Sequence, residues 1–134
     1  MNTKSFTQEV IIHNATPLRV YNALVNPEEH SEFTGGHAEN TDSMDEDFSI
    51  YDGYITGKNL NLVPGKCIHQ TWQAAEEYWP EDYYSEVKYE FEPHPQGTLL
   101  KFSHNLVPRE HADDIYKGWH EHYWGPLNAY FVEE

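Results

Sequence analysis

Residues 110–131 read EHADDIYKGWHEHYWGPLNAYF, and the pattern of this segment limits the architectures that the chain can adopt. Apolar residues recur in it at spacings of three and four: Ala112, Ile115, Tyr116, Trp119, Tyr123, Leu127, Tyr130 and Phe131. Residues so spaced stack on one side of a helix, so the segment is predicted to be a long helix with a broad aromatic stripe. Gly125-Pro126 is expected to bend this helix, because proline removes a backbone hydrogen bond. Such a helix either seals a core or leaves a cavity beneath it.

The length of the chain, 134 residues, predicts one domain that covers residues 1–134. No apolar run approaches the roughly 20 residues that span a bilayer, and the N-terminus lacks the apolar core of a secretory signal. The single cysteine, Cys67, cannot form an internal disulfide, which indicates a reducing cytoplasm. We expect Cys67 to be a small buried apolar side chain rather than a nucleophile.

The charge of the chain is strongly negative, with 8 Lys and Arg against 23 Asp and Glu and a formal net charge of −15. A polyanion would be repelled by this surface, which argues against nucleic acid and anionic membranes as partners. The acidic residues cluster at 42–47, 76–77 and 81–82, which we expect to be solvated loops or strand ends. Four Trp, ten Tyr and six Phe can nevertheless supply a folded core.

Near the N-terminus, alternation of apolar and polar residues over 6–13 predicts a strand. Thr16-Pro17 has the form of a helix cap followed by proline in the first turn, and this helix is expected to end at Asn26-Pro27. A second short helix is predicted over residues 28–33, before a break at Gly35-Gly36.

The middle of the chain is predicted to form antiparallel strands, with turns at Asp52-Gly53, 63–66 and 93–97. Leu60 and Leu62 have the opposite parity to Ile55, so a bulge near Gly57-Lys58 is expected to return them to the inner face. The residues predicted to share inner faces are Ile68, Gln70, Trp72, Val87, Tyr89, Phe91, Leu100, Phe102 and His104. The architecture is therefore α+β: a strand, two short helices, about six antiparallel strands, and a long C-terminal helix on the concave sheet face.

A series of residues along nearly the whole chain carries a family resemblance. It includes Ala15-Thr16-Pro17, Asn26-Pro27-Glu28, Asp52-Gly53, Pro64-Gly65-Lys66, Gly97-Thr98-Leu99-Leu100, Gly118-Trp119 and Pro126-Leu127. This series resembles the START-like superfamily, also called SRPBCC, the helix-grip fold or the birch-pollen-allergen fold. Within it, the chain is most similar to the activator of heat-shock protein 90 ATPase family (AHSA1-like).

The resemblance implies a cavity between sheet and terminal helix that binds a small hydrophobic molecule, lipid-like or aromatic. We expect this binding to be non-enzymatic, because the sequence shows no positive sign of catalysis. The expected walls of the cavity are Trp72, Tyr89, Phe102, Trp119 and Tyr123, with His104 and Gln70 as polar anchors. For each single ring, an ordinary packed core is the alternative. One alternative function is a co-chaperone that stimulates a heat-shock protein 90 homologue; another is a cyclase or lyase acting on a hydrophobic substrate.

The histidines do not form a recognisable metal motif. All nine are scattered, and His120 and His122 lie two apart, a spacing that turns them to different sides of a helix. The sequence also lacks a nucleophile elbow and a phosphate-binding glycine loop. We therefore assign no catalytic residue, metal or cofactor.

Overall fold

The computed structural model describes residues 2–132, which form an eight-stranded antiparallel sheet and a set of helices. The strands are β1 (Thr3–His13), β2 (Ala38–Glu39), β3 (Phe48–Ile50), β4 (Ile55–Gly57), β5 (Asn59–Val63), β6 (Cys67–Ala74), β7 (Ser85–His94) and β8 (Gly97–Pro108). The helices are α1 (Pro17–Val25), α2 (Pro27–Thr34), α3 (Ala112–Trp119) and α4 (Gly125–Val132). The predicted α+β order is confirmed; β2 is a two-residue strand that the sequence did not reveal. In this part of the chain, no helix is long and apolar enough to cross a membrane.

The two short helices begin at the predicted caps. The Thr16 side chain accepts a hydrogen bond from the Arg19 N–H at 3.3 Å, and Pro17 occupies the first turn of α1. Asn26 ends α1 and caps α2, because its side chain accepts from the Glu29 N–H at 3.0 Å. Helix α2 ends at Gly35, whose φ of 78° lies in the left-handed region that glycine adopts without strain.

The strand order across the sheet is β1-β8-β7-β6-β4-β3-β2, and β5 also pairs with β6. All pairings are antiparallel. The long strands β1, β8 and β7 form one half of the sheet, whereas β4, β3 and β2 have three, three and two residues and form the opposite edge. This edge is where the hairpin between β3 and β4 approaches the terminal helix.

Strands β4 and β5 pair with successive parts of β6 and are separated by Lys58. A side chain at Gly57 would place Cβ 2.0 Å from the Thr71 carbonyl oxygen, so this close approach requires glycine. The bulge predicted near Gly57-Lys58 is not there, because the pairs Thr56↔Gln73 and Asn59↔Gln70 keep one register; the register shift lies between Asn59 and Asn61. The expectation for Leu60 was wrong: it is 45% exposed, because Asn59 takes the buried position instead.

The inner faces of the long strands follow the predicted alternation. The residues expected to share these faces are all buried: Ile68, Gln70, Trp72, Val87, Tyr89, Phe91, Leu100, Phe102 and His104. The acidic clusters at 42–47, 76–77 and 81–82 are exposed at every carboxylate, as expected. Cys67, in contrast, is partly exposed at the start of β6 rather than buried.

The terminal helix is not regular α-helix throughout. A 3-10 turn (Arg109–His111) precedes α3, and a π-helical segment (His120–Trp124) joins α3 to α4. The Gly125 N–H reaches back five residues to the His120 carbonyl, and Pro126 has no N–H to donate. The disturbance expected at Gly125-Pro126 therefore takes the form of a π turn just before the proline.

Candidate functional site

The space between the terminal helix and the centre of the sheet is filled by aromatic rings. Trp119 lies 4.4 Å from Phe102 and stacks on Trp124 at 5.6 Å, measured between ring centroids. Phe102 also contacts Tyr89 and Trp124, each at 5.1 Å. Tyr89 and Phe102, which were expected to form cavity walls, are thus packed against other rings.

The π-helical segment explains how two adjacent residues reach this packed interior. In a regular helix, neighbouring side chains point about 100° apart, and only Tyr123 fits the predicted stripe. The wider π turn brings Trp124 inward as well, and it is 2% exposed. The Trp124 indole N–H donates to Gln8 at 2.7 Å, and the Gln8 amide in turn donates to the Tyr116 carbonyl at 3.0 Å. Tyr116 itself is 40% exposed, unlike the rest of the stripe near it.

His104 is fully buried, and both of its ring nitrogens have partners. The Trp119 indole N–H donates to Nδ1 at 3.1 Å, which leaves the proton on Nε2. Nε2–H can then donate to the Ser85 hydroxyl at 2.7 Å, and that hydroxyl donates to the Trp72 carbonyl at 3.1 Å. Burial lowers the pKa of His104 to about 3, so the ring is neutral.

Gln70 is likewise engaged within the protein. Its amide donates to the Asn59 side chain at 2.9 Å, and Asn59 donates to the carbonyls of Thr41 and Ser43. The Thr41 hydroxyl donates to the Val25 carbonyl at 2.8 Å. This chain of bonds fixes the acidic loop before β3 against the sheet and α1.

Tyr123 connects the terminal helix to α2. Its hydroxyl donates to Nε2 of His30 at 2.8 Å, while Nδ1 of His30 donates to the Leu24 carbonyl at 2.8 Å. His30 is 3% exposed, and burial lowers its pKa to about 4. Burial raises the pKa of the Tyr123 hydroxyl, which therefore remains a donor.

A cavity of about 520 Å³ opens at the edge of the sheet, and we call it the edge cavity. It lies between the β3-β4 hairpin, the loop 75–84 and the face of α3 and the π-helical segment. Its floor consists of the buried side chains Ile55, Trp72, Trp119 and Tyr123. Its mouth and sides are lined by Tyr51, Tyr54, Tyr78, Asp114, Ile115, Gly118 and His122.

Tyr51 reaches the edge cavity because two features of the chain place its ring. It has a φ of 55°, unusual for an aromatic residue, at the first position of the β3-β4 turn. Its ring lies against Gly36, where an added Cβ would be 2.1 Å from the ring. The break at Gly35-Gly36 therefore both ends α2 and leaves space for this wall of the cavity.

One buried polar atom beneath the edge cavity has no hydrogen-bond partner. Among residues 2–132, the indole Nε1 of Trp72 is the buried side-chain nitrogen or oxygen without a hydrogen-bond partner. A buried donor left unpaired costs about 1–3 kcal/mol, so such atoms are uncommon in folded proteins. Trp72 is 5% exposed and lines the floor of the edge cavity.

Three of the seven residues expected at the ligand site line the edge cavity, namely Trp72, Trp119 and Tyr123. The other four, Tyr89, Phe102, His104 and Gln70, are not among its lining residues. The sequence reasoning missed the residues that the hairpin and the loop 75–84 contribute. Tyr54 could have been noticed, because it is an aromatic residue beside the predicted turn at Asp52-Gly53, where a core function is not expected.

The sheet, the two short helices after its first strand and the long helix on its inner face define a START-like, helix-grip domain. Ara h 8.0201 is a solved structure with this fold: its TM-score is 0.75 at 14% identity, over 99% of this chain and 100% of that chain. The predicted fold class is thereby confirmed.

The chain belongs to the family described as Activator of Hsp90 ATPase homolog 1-like protein, whose model matches residues 14–132. It is 34% identical over 61 residues to Activator of 90 kDa heat shock protein ATPase homolog 2 of Mus musculus, covering 46% of this chain. The crystal structure of an HSP90 activator from Plasmodium falciparum has a TM-score of 0.79 at 21% identity, over 97% of this chain and 96% of that chain. A protein of Schizosaccharomyces pombe is 29% identical over 84 residues, covering 63% of this chain. The chain spans only a part of these two relatives, because the matches cover 24% of the Schizosaccharomyces pombe protein and 18% of the Mus musculus protein.

Proposed function

We propose that this domain binds a small hydrophobic molecule in the edge cavity and does not catalyse a reaction on it. The observation that carries the proposal is the cavity itself, about 520 Å³ with a floor of aromatic and aliphatic side chains. Pockets for small molecules typically have volumes of about 300–1,000 Å³ and mostly apolar walls with few polar groups.

The buried histidines support binding rather than catalysis. His30 and His104 are both neutral, and each has its two ring nitrogens in hydrogen bonds within the protein. A general base must be able to reach a proton of the substrate, and neither ring lines the edge cavity. The free thiol of Cys67 fits the reducing cytoplasm in which we propose that the protein acts.

The indole N–H signals of the four tryptophans offer a direct test by NMR, with lipids, sterols and flavonoids as the titrated ligands. We expect the Trp72 and Trp119 signals to shift, because both residues line the floor of the edge cavity. The Trp124 signal is the internal control, because Trp124 is buried and is not among the residues that line the edge cavity. If no ligand moved the Trp72 or Trp119 signal, the proposed binding function would be wrong.

A second candidate, favoured by the family membership, is stimulation of a heat-shock protein 90 ATPase. The exposed carboxylates at 42–47 offer an acidic surface that could contact basic regions of such a partner. The test is the ATPase rate of the host's heat-shock protein 90 homologue with and without this protein. An unchanged rate, together with no detectable binding, would dispose of this candidate and leave ligand binding untouched.

A further inference from the structure

The edge cavity has a lining that is rich in aromatic rings and bears negative charge. Six rings line it: Tyr51, Tyr54, Trp72, Tyr78, Trp119 and Tyr123. Asp114 contributes a carboxylate at the mouth, and across residues 2–132 no Lys or Arg side chain lines the cavity. A cavity that served only to hold a neutral apolar molecule would not need this carboxylate.

A second carboxylate lies beside the same mouth. Glu76, in the loop 75–84, accepts a hydrogen bond from the Tyr54 hydroxyl. Burial, with the charges of Glu76 and Asp114, raises the pKa of Tyr78, whose ring is 38% exposed. The mouth therefore has a negative potential that acts on any group placed between Tyr54, Tyr78 and Asp114.

The residue that could oppose this potential is His122, which is exposed and lies edge-on to Tyr51 at 6.2 Å. Besides this imidazole and the tyrosine hydroxyls, the ionisable side chain among the described lining residues is the Asp114 carboxylate.

Rings and carboxylates in this arrangement select for positive charge. The face of an aromatic ring is electron-rich and attracts ammonium groups, most strongly for Trp and when water is excluded. The formal charge of −15 on the whole chain acts in the same sense, because it attracts cations and repels carboxylates such as those of fatty acids.

We propose that the ligand of the edge cavity is a lipophilic organic cation, an amine or quaternary ammonium group attached to an apolar body. The apolar body lies on the floor formed by Ile55, Trp72 and Trp119, and the cationic group lies at the mouth between the tyrosine rings and Asp114. This inference rests on the proposed binding function and specifies its ligand class.

The test compares three probes of similar size and different charge: phenylbutyltrimethylammonium, phenylhexanol and phenylhexanoate. Binding is measured by calorimetry and by the indole N–H signals, in buffer of about pH 8. We expect the cation to bind at least ~5-fold more tightly than the alcohol, and the carboxylate to bind most weakly.

The variant Asp114→Asn tests the source of this preference, and Asp113→Asn is its matched control. Asp113 is the neighbouring residue, but its carboxylate is exposed and lies 3.4 Å from the Lys4 ammonium, outside the cavity lining. Both variants change the net charge equally. Asp114→Asn should weaken the cation about 3–10-fold and leave the alcohol unchanged, whereas Asp113→Asn should change neither.

The outcomes separate the two proposals. Equal affinity for cation and alcohol, or equal effects of the two variants on the cation, would overturn the inference about charge while ligand binding stands. If none of the probes shifted the Trp72 or Trp119 signal, the charge inference would be wrong. The wider ligand titration would then decide the proposed function separately.

Discussion

His30 and His104 illustrate how burial controls the chemistry of single residues in this protein. Each is a neutral imidazole that donates through one nitrogen and accepts through the other. His104 could be singled out from its place on a strand face, but its partners come from β7 and the terminal helix. His30 could not be singled out, because nothing in α2 indicates that Tyr123 lies across from it.

Stability should depend on pH through these two histidines. Burial lowers the pKa of His30 to about 4 and that of His104 to about 3, from 6.5 in an exposed imidazole. Below pH 6.5 these two imidazoles therefore bind protons in the unfolded chain but stay neutral in the folded chain. The contribution of these two histidines to the free energy of unfolding is fully present above that pH and declines as pH falls toward 4. Between pH 7 and pH 5, the free energy of unfolding should fall by about 2 kcal/mol for each histidine.

The variant His30→Gln isolates this effect. Urea unfolding at pH 7 and pH 5 should show a pH-dependent loss about 2 kcal/mol smaller than in the unaltered protein, even if the variant is less stable at both pH values. His13→Gln, an exposed position at the end of β1, is the control and should keep the full loss. If His30→Gln lost as much stability between pH 7 and pH 5 as the unaltered protein, then His30 would bind protons equally in the folded and unfolded chains.

At the scale of elements, the terminal helix depends on one irregular turn. Periodicity of three and four residues predicted its stripe, yet a regular helix cannot turn Tyr123 and Trp124 toward the same core. The π-helical segment lies just before Pro126, which has no N–H to donate. Its wider turn allows Tyr123 and Trp124 both to point into the core. A pattern search that assumes 3.6 residues per turn therefore misses Trp124, even though it is among the largest fully buried side chains.

Two glycines provide a matched test of how far these elements tolerate a methyl group. Gly118→Ala adds a Cβ whose nearest neighbour is His122 at 3.9 Å, and alanine favours helix, so stability should rise by about 0.5–1 kcal/mol. Gly57→Ala would place Cβ 2.0 Å from the Thr71 oxygen, so stability should fall by about 1–3 kcal/mol. Thermal unfolding of the two variants measures whether each substitution raises or lowers the stability. A stabilising Gly57→Ala would show that β4 and β6 lie further apart than described.

For the whole molecule, the sequence predicts the long half of the sheet better than the edge. In β7 and β8, alternation of buried and exposed residues is regular, and the inner faces followed from it. At the edge, β2, β3 and β4 have at most three residues, too few to define a period. The Leu60 prediction failed in the adjoining strand β5, because the register stays unbroken through Gly57-Lys58 as far as Asn59 and leaves Leu60 on the exposed face.

The residues that line the edge cavity likewise fall into two groups, those that the sequence predicts and those that it does not. Trp72, Trp119 and Tyr123 could be predicted because regular strand and helix patterns turn them inward. Tyr51 and Tyr78 could not, since a positive φ angle places Tyr51 and the loop conformation places Tyr78, and both depend on contacts distant in sequence. The terminal helix therefore both seals a core and leaves a cavity. The middle of the helix, around Trp119 and Trp124, seals the core, and the adjoining surface of α3 covers the edge cavity.

The position of the edge cavity has a kinetic consequence. Its outer walls belong to a short hairpin and a loop, whereas the β1-β8-β7 half of the sheet pairs along strands of 10 to 12 residues. Local opening of such a hairpin requires far less free energy than global unfolding. A bound molecule would therefore exchange through fluctuations of the hairpin, and its residence time would be independent of the slow opening of the core.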